Sequence, residues 1–205
     1  MTGAARADHT VIGATSADGR QVLAVLPAGT PGVSVGPPLD LIALRGSVTA
    51  EVRCGSVTLG REWLLAGPAE RVMRAGRGGT GGPEASCLAL GLAGAAVALT
   101  EREAALRPQL VPTAEALRRR HAELRRQLHR LAEEGTSAPQ AAELRARANS
   151  LALAATQSAL TASKGAGFLR GHPAGRWARQ ALFFLVWSCP WPAASATLDR
   201  LAALS

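Results

Sequence analysis

The sequence contains no tyrosine and few other aromatic residues, since phenylalanine and tryptophan together make up 3% of its 205 residues. Charged residues are also scarce, at 19% against about 25% in an average globular domain. The core must therefore be built from Leu, Val and Ala, and a hydrophobic content of 47% allows a sizeable one. Because Ala has the highest helix propensity, this composition favours closely packed helices.

Cysteine is too sparse for a structural framework. The three residues, Cys54, Cys87 and Cys189, are far apart and form no CxxC pair. An odd number of isolated cysteines predicts neither a disulfide framework nor a zinc site. Cys189 could form a nucleophile pair with Ser188, but an apolar helix end between two tryptophans raises a thiol pKa and favours a packing role.

Lysine occurs once, at Lys164, so the formal charge of +8 comes almost entirely from arginine. This bias, together with the abundance of Ala, Gly and Leu, is typical of a GC-rich genome. The basic run from Arg118 to Arg130 contains no aromatic residue on which bases could stack, so we expect no nucleic-acid partner. Its arginines are interpreted as a solvated face with Glu115 and Glu123 as neighbours, or alternatively as a surface for a partner chain.

Long apolar runs are also missing. The longest, Ala181 to Trp187, is far shorter than the ~20 residues that span a bilayer. The N-terminal residues contain no apolar region of the signal-peptide kind. We therefore expect a cytoplasmic protein with no membrane association.

The first 75 residues predict a small, partial β domain. Ser47–Cys54 gives the clearest signal, because Val48, Ala50 and Val52 alternate with polar residues as in a half-buried strand. Asp18-Gly19 is a turn signal for a hairpin. We predict strands at His9–Ala14, Gln21–Leu26 and Ser47–Cys54, a continuation of the sheet at Val57–Leu59, an apolar segment at Leu39–Leu44, and a loop over Pro27–Pro38.

Residues 76–205 predict helices after a glycine-rich break that ends at Pro83. The second helix has an apolar stripe at helical spacing and a cap at Thr113. Together the two regions predict an α+β fold, mostly α, in which a small antiparallel β layer precedes an up-down four-helix bundle. The predicted helices are Glu84–Leu106, one from Thr113 to Gly135, Ser137–Ser163, Pro173–Ser188 and a short one over Ala193–Leu204.

Two ordered motifs are more specific than this pattern. The first is Gly32-Val33-Ser34-Val35 followed by Leu44-Arg45-Gly46-Ser47-Val48-Thr49. The second is Lys164-Gly165-Ala166-Gly167-Phe168 followed by Pro173, Arg176, Arg179 and Ala181. In this order they resemble the acyl-CoA dehydrogenase family, at the end of its middle β domain and in its C-terminal bundle. The match covers nearly all of this chain but only about the C-terminal half of a typical member.

The resemblance implies FAD as cofactor and acyl-CoA as substrate. In the family, a glutamate removes the α-proton of the acyl-CoA while a hydride leaves the β-carbon for the flavin. The resemblance places cofactor-binding residues at Arg102, Thr161, Gly165, Gly167, Arg176 and Arg179. Lys164, at the first glycine of the family's turn, could also meet a phosphate or else cap the carbonyls of the helix end.

The chain departs from the family pattern where the catalytic base belongs. Ser188 occupies the position of the family's glutamate, and Leu92–Thr100, where some members carry the base, contains no carboxylate. These departures predict no catalytic residue in the chain and FAD binding that is weak or absent in the lone chain, while the isolated cysteines predict no metal site.

Two functions follow as alternatives. The first is a truncated acyl-CoA dehydrogenase-like protein without autonomous dehydrogenase activity, acting as a partner or structural subunit. The second is an FAD-dependent acyl-CoA dehydrogenase whose missing half is supplied by another chain. In both cases we expect a homodimer or a hetero-oligomer with a related flavoprotein chain.

Overall fold

The structure is a computed structural model that describes residues 1–72, 83–187 and 191–202. The chain divides into two compact units, Met1–Gly79 and Thr80–Ser205. The boundary predicted between residues 75 and 76 lies outside the described residues and stays a prediction.

The first unit contains five strands in two small antiparallel sheets. The three-stranded sheet has the order β1-β2-β5, and β3 pairs with β4 in the other sheet. The strands are β1 (His9–Thr15), β2 (Gln21–Pro27), β3 (Val33–Pro38), β4 (Ala50–Cys54) and β5 (Leu64–Ala69). This arrangement confirms the predicted small antiparallel layer.

The β1–β2 hairpin is confirmed and is closed by a network around Asp18. The Asp18 carboxylate accepts hydrogen bonds from the Ser16 hydroxyl and from Arg20. These bonds, with that of Ser16 the strongest cause, lower the pKa of Asp18 below its usual value. Gly19 follows with a φ of 81°, a conformation that a residue without a Cβ adopts most easily.

Two predictions in this unit are wrong. Pro27–Pro38 is not entirely loop, because Val33–Pro38 forms β3 and pairs with β4. Proline is tolerated there because a two-stranded sheet has only edge strands, whose outer N–H groups need no partner. The last strand is not at Val57–Leu59 but at Leu64–Ala69, where it pairs with β2.

The strand predicted over Ser47–Cys54 is shorter than expected, but its buried and exposed residues alternate as predicted. Residues Arg45–Ser47 form a 3₁₀ turn, and the strand begins at Ala50. Ala50 is buried and Val52 half-buried, whereas Glu51 and Arg53 are exposed. The period of two therefore identified the face of β4 correctly.

The second unit is helical within the described residues. Its helices are α1 (Glu84–Leu106), α2 (Val111–Glu134), α3 (Ala138–Ala162), α4 (Pro173–Ala181), α5 (Phe183–Val186) and α6 (Trp191–Ala202). The mostly helical α+β fold predicted from the sequence is thus confirmed.

Local signals explain where most of these helices begin and end. Ser137 and Gln140 form a capping box at the start of α3, with Pro139 in the first turn. Gly135 ends α2 with a φ of 89°. The cap predicted at Thr113 is wrong, because α2 already begins at Val111 after a 3₁₀ turn over Pro108–Leu110.

The predicted fourth helix, Pro173–Ser188, is divided. α4 ends at Ala181 and a separate short helix, α5, ends at Val186. Asn149 of α3 donates to the carbonyl of Phe184 over 2.9 Å, and Arg145 donates to that of Trp187 over 3.0 Å. These carbonyls therefore accept hydrogen bonds from side chains of α3 and not from the backbone N–H groups of a further helical turn. Ser188 lies outside the described residues.

α3 is the central element of the bundle, because it packs against α1, α2, α4 and α6. Its Leu144 and Leu151 are fully buried. α1 is the one described helix that is long and apolar enough to cross a membrane by length and composition alone. It packs instead against α2 and α3, where Ala89, Ala93 and Ala96 are fully buried.

Candidate functional site

A groove of about 450 Å³ lies at the end of α3, beside the 3₁₀ turn Lys164–Phe168 and α4. This volume is within the ~300–1,000 Å³ of small-ligand pockets. The polar groups lining it are Gln157, Thr161 and Arg179, and Phe168 forms an exposed aromatic wall. The remaining lining residues are Leu160, Gly175, Ala178 and Leu182.

Two glycines allow the turn and α4 to meet closely. A Cβ on Gly175 would lie 2.6 Å from the carbonyl oxygen of Gly167, and such a contact cannot form without movement. A Cβ on Gly167 would lie 2.9 Å from carbons of both Leu160 and Ser163. The glycines at positions 167 and 175 are therefore required by packing.

Gly165 differs from these two glycines. It is exposed, and a Cβ placed on it would meet no atom within 4 Å. Packing therefore does not require glycine there, and the backbone at Gly165 is open to approach by a ligand.

The groove belongs to a part of the chain without acidic residues. No Asp or Glu occurs between Glu143 and Asp199, whereas Lys164, Arg170, Arg176 and Arg179 all fall in this stretch. Among the residues that the structure describes, these four cations form no ion pair. Of these four, Arg179 lines the groove, and an unneutralised cation there creates a positive potential that attracts anions.

The sequence-predicted cofactor residues are only partly brought together. Thr161 and Arg179 line the groove, and Gly167 lies against Gly175 at its edge. Gly165 is exposed in the same turn, and Arg176 is exposed on α4. Arg102 is exposed on α1 and does not line the groove.

Lys164 is the first residue of the 3₁₀ turn that follows α3. It adopts a φ of 51°, in the left-handed region. Its side chain is exposed and makes no hydrogen bond in the described parts of the chain, so it does not cap the carbonyls of α3. Instead, Arg107 at the end of α1 donates to the carbonyl of Ala162 while pairing with Glu103.

The other reactive residue types do not form a second site. Cys54 and Cys87 are free and exposed, and Cys189 lies outside the described residues together with Ser188. Residues 1–72, 83–187 and 191–202 contain no group of three His, Cys, Asp or Glu placed to hold a metal. His121 is half-buried, with its Nε2 3.0 Å from the carbonyl oxygen of Leu90.

Sequence reasoning missed six of the groove residues, namely Gln157, Leu160, Phe168, Gly175, Ala178 and Leu182. Gln157 could have been found, because it precedes Thr161 by four residues and shares its helix face. Phe168 carried a weaker signal as the last residue of the quoted turn motif. Leu182 had none, since its position depends on the end of α4.

The small antiparallel sheets, the helical bundle and the glycine turn before a short helix define a chain with an acyl-CoA dehydrogenase-like fold. No protein-family model matches the sequence, and no curated protein is significantly similar to it. Solved structures, however, match almost the whole chain.

One match is the electron transferring flavoprotein structure of Acidaminococcus fermentans, at 22% identity and a TM-score of 0.82. Butyryl-CoA dehydrogenase from Megasphaera elsdenii follows at 21% and 0.81, and acyl-CoA dehydrogenase from Geobacillus kaustophilus at 16% and 0.84. Each match covers 98% of this chain and 58% of the other chain. The resemblance drawn from the motifs is thus confirmed at the level of the fold, over little more than half the length of these neighbours.

Proposed function

We propose that this chain is a non-catalytic partner or structural subunit with an acyl-CoA dehydrogenase-like fold. The observation that carries the proposal is the groove beside α4, which combines the cation Arg179 with the hydrogen-bonding groups of Gln157 and Thr161 but contains no carboxylate. Such a site is suited to bind an anionic ligand and not to remove a proton from carbon.

Proton abstraction next to a thioester needs a base held against the substrate. Between Glu143 and Asp199 the only histidine is His172, and its Nδ1 accepts a hydrogen bond from the N–H of Ala174 over 3.2 Å. Ser188, at the position that the motif assigns to the base, has a hydroxyl that is far too weak a base without a partner. No residue lining the groove can therefore replace the missing glutamate.

The groove fits part of an FAD molecule. Arg179 offers positive charge for a diphosphate, while Gln157 and Thr161 offer hydrogen bonds. The open backbone at Gly165 would let a phosphate or a ring approach closely. Bound FAD would supply the hydride acceptor of the family's reaction. We propose that this chain holds it weakly, since a groove of about 450 Å³ surrounds only a portion of a dinucleotide.

A second candidate is an FAD-dependent acyl-CoA dehydrogenase completed by another chain. The lining of the groove favours it, because Thr161 and Arg179, which the resemblance assigns to the cofactor, both lie there. Under this candidate the other chain supplies both the base and the remaining flavin contacts.

Assembly with another chain is part of the proposal. The outer face of α1 is exposed at Leu88 and Gly91 and half-buried at Ala95 and Ala98, which gives a smooth surface for close helix contact. We propose a homodimer or a hetero-oligomer with a related flavoprotein chain, consistent with the electron transferring flavoprotein among the structural neighbours. We also propose that the protein acts in the cytoplasm without a membrane or nucleic-acid partner.

The test is restoration of activity. Ser188→Glu in the lone protein should give no oxidation of butyryl-CoA in a dye-reduction assay, whereas mixing with a full-length dehydrogenase chain should change that chain's activity or flavin affinity. Ser56→Glu, at an exposed position of the first unit, is the matched control. Turnover by lone Ser188→Glu would contradict the partner-subunit proposal and show that only the base was missing.

A further inference from the structure

The outer face of α2 carries a row of arginines that the groove does not use. Arg119, Arg126 and Arg130 follow one another at spacings of seven and four residues, flanked by Arg118 and Arg125, and all five are exposed. We call these five residues the arginine ridge. At 1.5 Å per residue, Arg119, Arg126 and Arg130 extend over roughly 16 Å of one helix face.

Few of these charges are neutralised. Arg118 lies 3.7 Å from Glu101 and Arg119 lies 3.5 Å from Glu115, both at well-exposed positions. Arg125, Arg126 and Arg130 form no ion pair with any residue that the structure describes. Exposed pairs at such distances contribute little, so the ridge remains positive.

The acid nearest the centre of the ridge is held by a different helix. Glu123 pairs with Arg147 of α3 at 2.5 Å, and the hydrogen bond from Arg147 is the main cause that lowers its pKa. The charges of Arg126 and Arg120 lower it further. Glu123 is therefore paired chiefly with Arg147 and compensates the ridge only in part, through Arg126.

Two polyanionic partners fit this face poorly. Glu115 stands beside the ridge, and Glu133 and Glu134 close its end. These carboxylates repel a continuous phosphate backbone or an anionic membrane. The ridge also has no aromatic residue for stacking on bases and no large exposed apolar residue for entering a lipid interface.

We infer that the arginine ridge is a docking surface for an acidic α-helix of another protein. Arginine suits this partner because its planar guanidinium binds a carboxylate through two parallel hydrogen bonds. A partner helix that runs alongside α2, with carboxylates at matching spacings, pairs with Arg119, Arg126 and Arg130 in register. The glutamates at the end of the ridge then meet basic residues of the partner and fix its direction. This inference does not depend on flavin binding.

The test uses the full chain and two synthetic helical peptides of identical composition. One peptide carries glutamates along one face at the spacing of the ridge, and the other has them spread around the helix. Fluorescence anisotropy at low salt should show the one-face peptide binding more tightly. The triple variant Arg119→Glu, Arg126→Glu, Arg130→Glu should weaken that binding by about tenfold or more, because opposite charges become like charges.

The matched control reverses three exposed, unpaired arginines of the first unit: Arg6→Glu, Arg61→Glu and Arg71→Glu. It has the same net charge as the triple variant and should retain full peptide binding. Circular dichroism and melting curves check that each variant is folded. The inference is overturned if both peptides bind alike, if the control loses binding equally, or if a DNA duplex or phosphatidylglycerol vesicles bind the ridge more tightly than the one-face peptide.

Discussion

At the scale of single residues, Gly175 of α4 and Gly165 of the preceding turn differ, because packing requires glycine at the first position and leaves the second open to a ligand. Gly175→Ala places a Cβ 2.6 Å from the carbonyl of Gly167, so the turn and α4 must move apart. We predict a loss of about 1–3 kcal/mol in the free energy of unfolding, the usual cost of overpacking. Gly165→Ala, with no atom in reach of the new Cβ, should stay within about 0.5 kcal/mol of wild type. Urea denaturation measures both, and equal losses would contradict the described turn.

Glu123 gives a pH-dependent prediction at the same scale. In the folded chain, the hydrogen bond and the charge of Arg147 lower the pKa of Glu123 below its usual value. A carboxyl with a lowered folded pKa stabilises the fold above its unfolded pKa, and this contribution disappears as the pH falls through the folded value. Wild type should therefore be slightly more stable than Glu123→Gln at pH ~7, and the two should converge as the pH falls below the folded pKa of Glu123.

Thermal melts at several pH values provide the measurement, and the effect should be small because Glu123 is exposed. Glu133→Gln on the same helix, which forms no ion pair in the described structure, is the control and should track wild type at every pH. A Glu123 difference that persisted unchanged at low pH would rule out the Arg147 pair as its cause.

The buried polar residues of α3 were a part of the fold that sequence reasoning could not place. Arg145 and Asn149 are 4% and 0% exposed and bind the carbonyls of Phe184 and Trp187. Their spacing of four residues on α3, beside the buried Leu144 and Ala148, was a visible signal. Their partners were not predictable, because they depend on how α5 meets α3.

At the scale of elements, α3 should dominate the stability of the helical unit. Leu151 is fully buried at its centre, whereas Leu106, at the end of α1, is 79% exposed. Leu151→Ala should lower the free energy of unfolding by about 2–5 kcal/mol through lost burial and a cavity. Leu106→Ala should change it by less than about 0.5 kcal/mol. If chemical denaturation showed similar losses for both, α3 would not be the core helix.

Helices were predicted better than strands for a physical reason. α1 and α3 are long, and their proline, glycine and capping-box signals lie next to the apolar pattern. A local stretch of sequence is therefore enough to predict each of these helices. β3 and β5 contain Gly and Pro and are stabilised by pairing with distant residues, such as Val33 with Cys54. No local window contains that partner, so these two strands were missed.

At the scale of the whole molecule, assembly should depend on the outer face of α1. A Cβ on Gly91 would meet no atom within 4 Å in the chain itself, so Gly91→Leu should leave the fold intact. If α1 packs closely against a second chain, the added side chain should convert dimers to monomers in light scattering at micromolar concentration. Ala132→Leu, exposed on α2, is the control and should remain dimeric. A wild-type monomer would contradict this part of the account.

The sequence motif predicted some residues of the candidate site but not which residues together line the groove. The motif put Thr161, Gly167 and Arg179 near one another, and the structure brings these three to one groove. It also grouped Arg102 with them, although that residue is exposed on α1 away from the groove lining. The resemblance assigns residues to a cofactor, but which of them contact it depends on the complete assembly. The spacing of a motif contains no information about those contacts.

The central claim is that the lone chain does not work as a dehydrogenase, and the visible absorption spectrum of the purified protein tests it most directly. Because the groove surrounds only part of a dinucleotide, the protein should be nearly colourless. Because it lacks a carboxylate base, an acyl-CoA should not reduce any flavin that it does bind. Adding FAD should give weak binding, reduced by Arg179→Ala, and no bleaching of the flavin band on addition of butyryl-CoA. A yellow protein with flavin near one per chain, reduced by an acyl-CoA, would contradict the account.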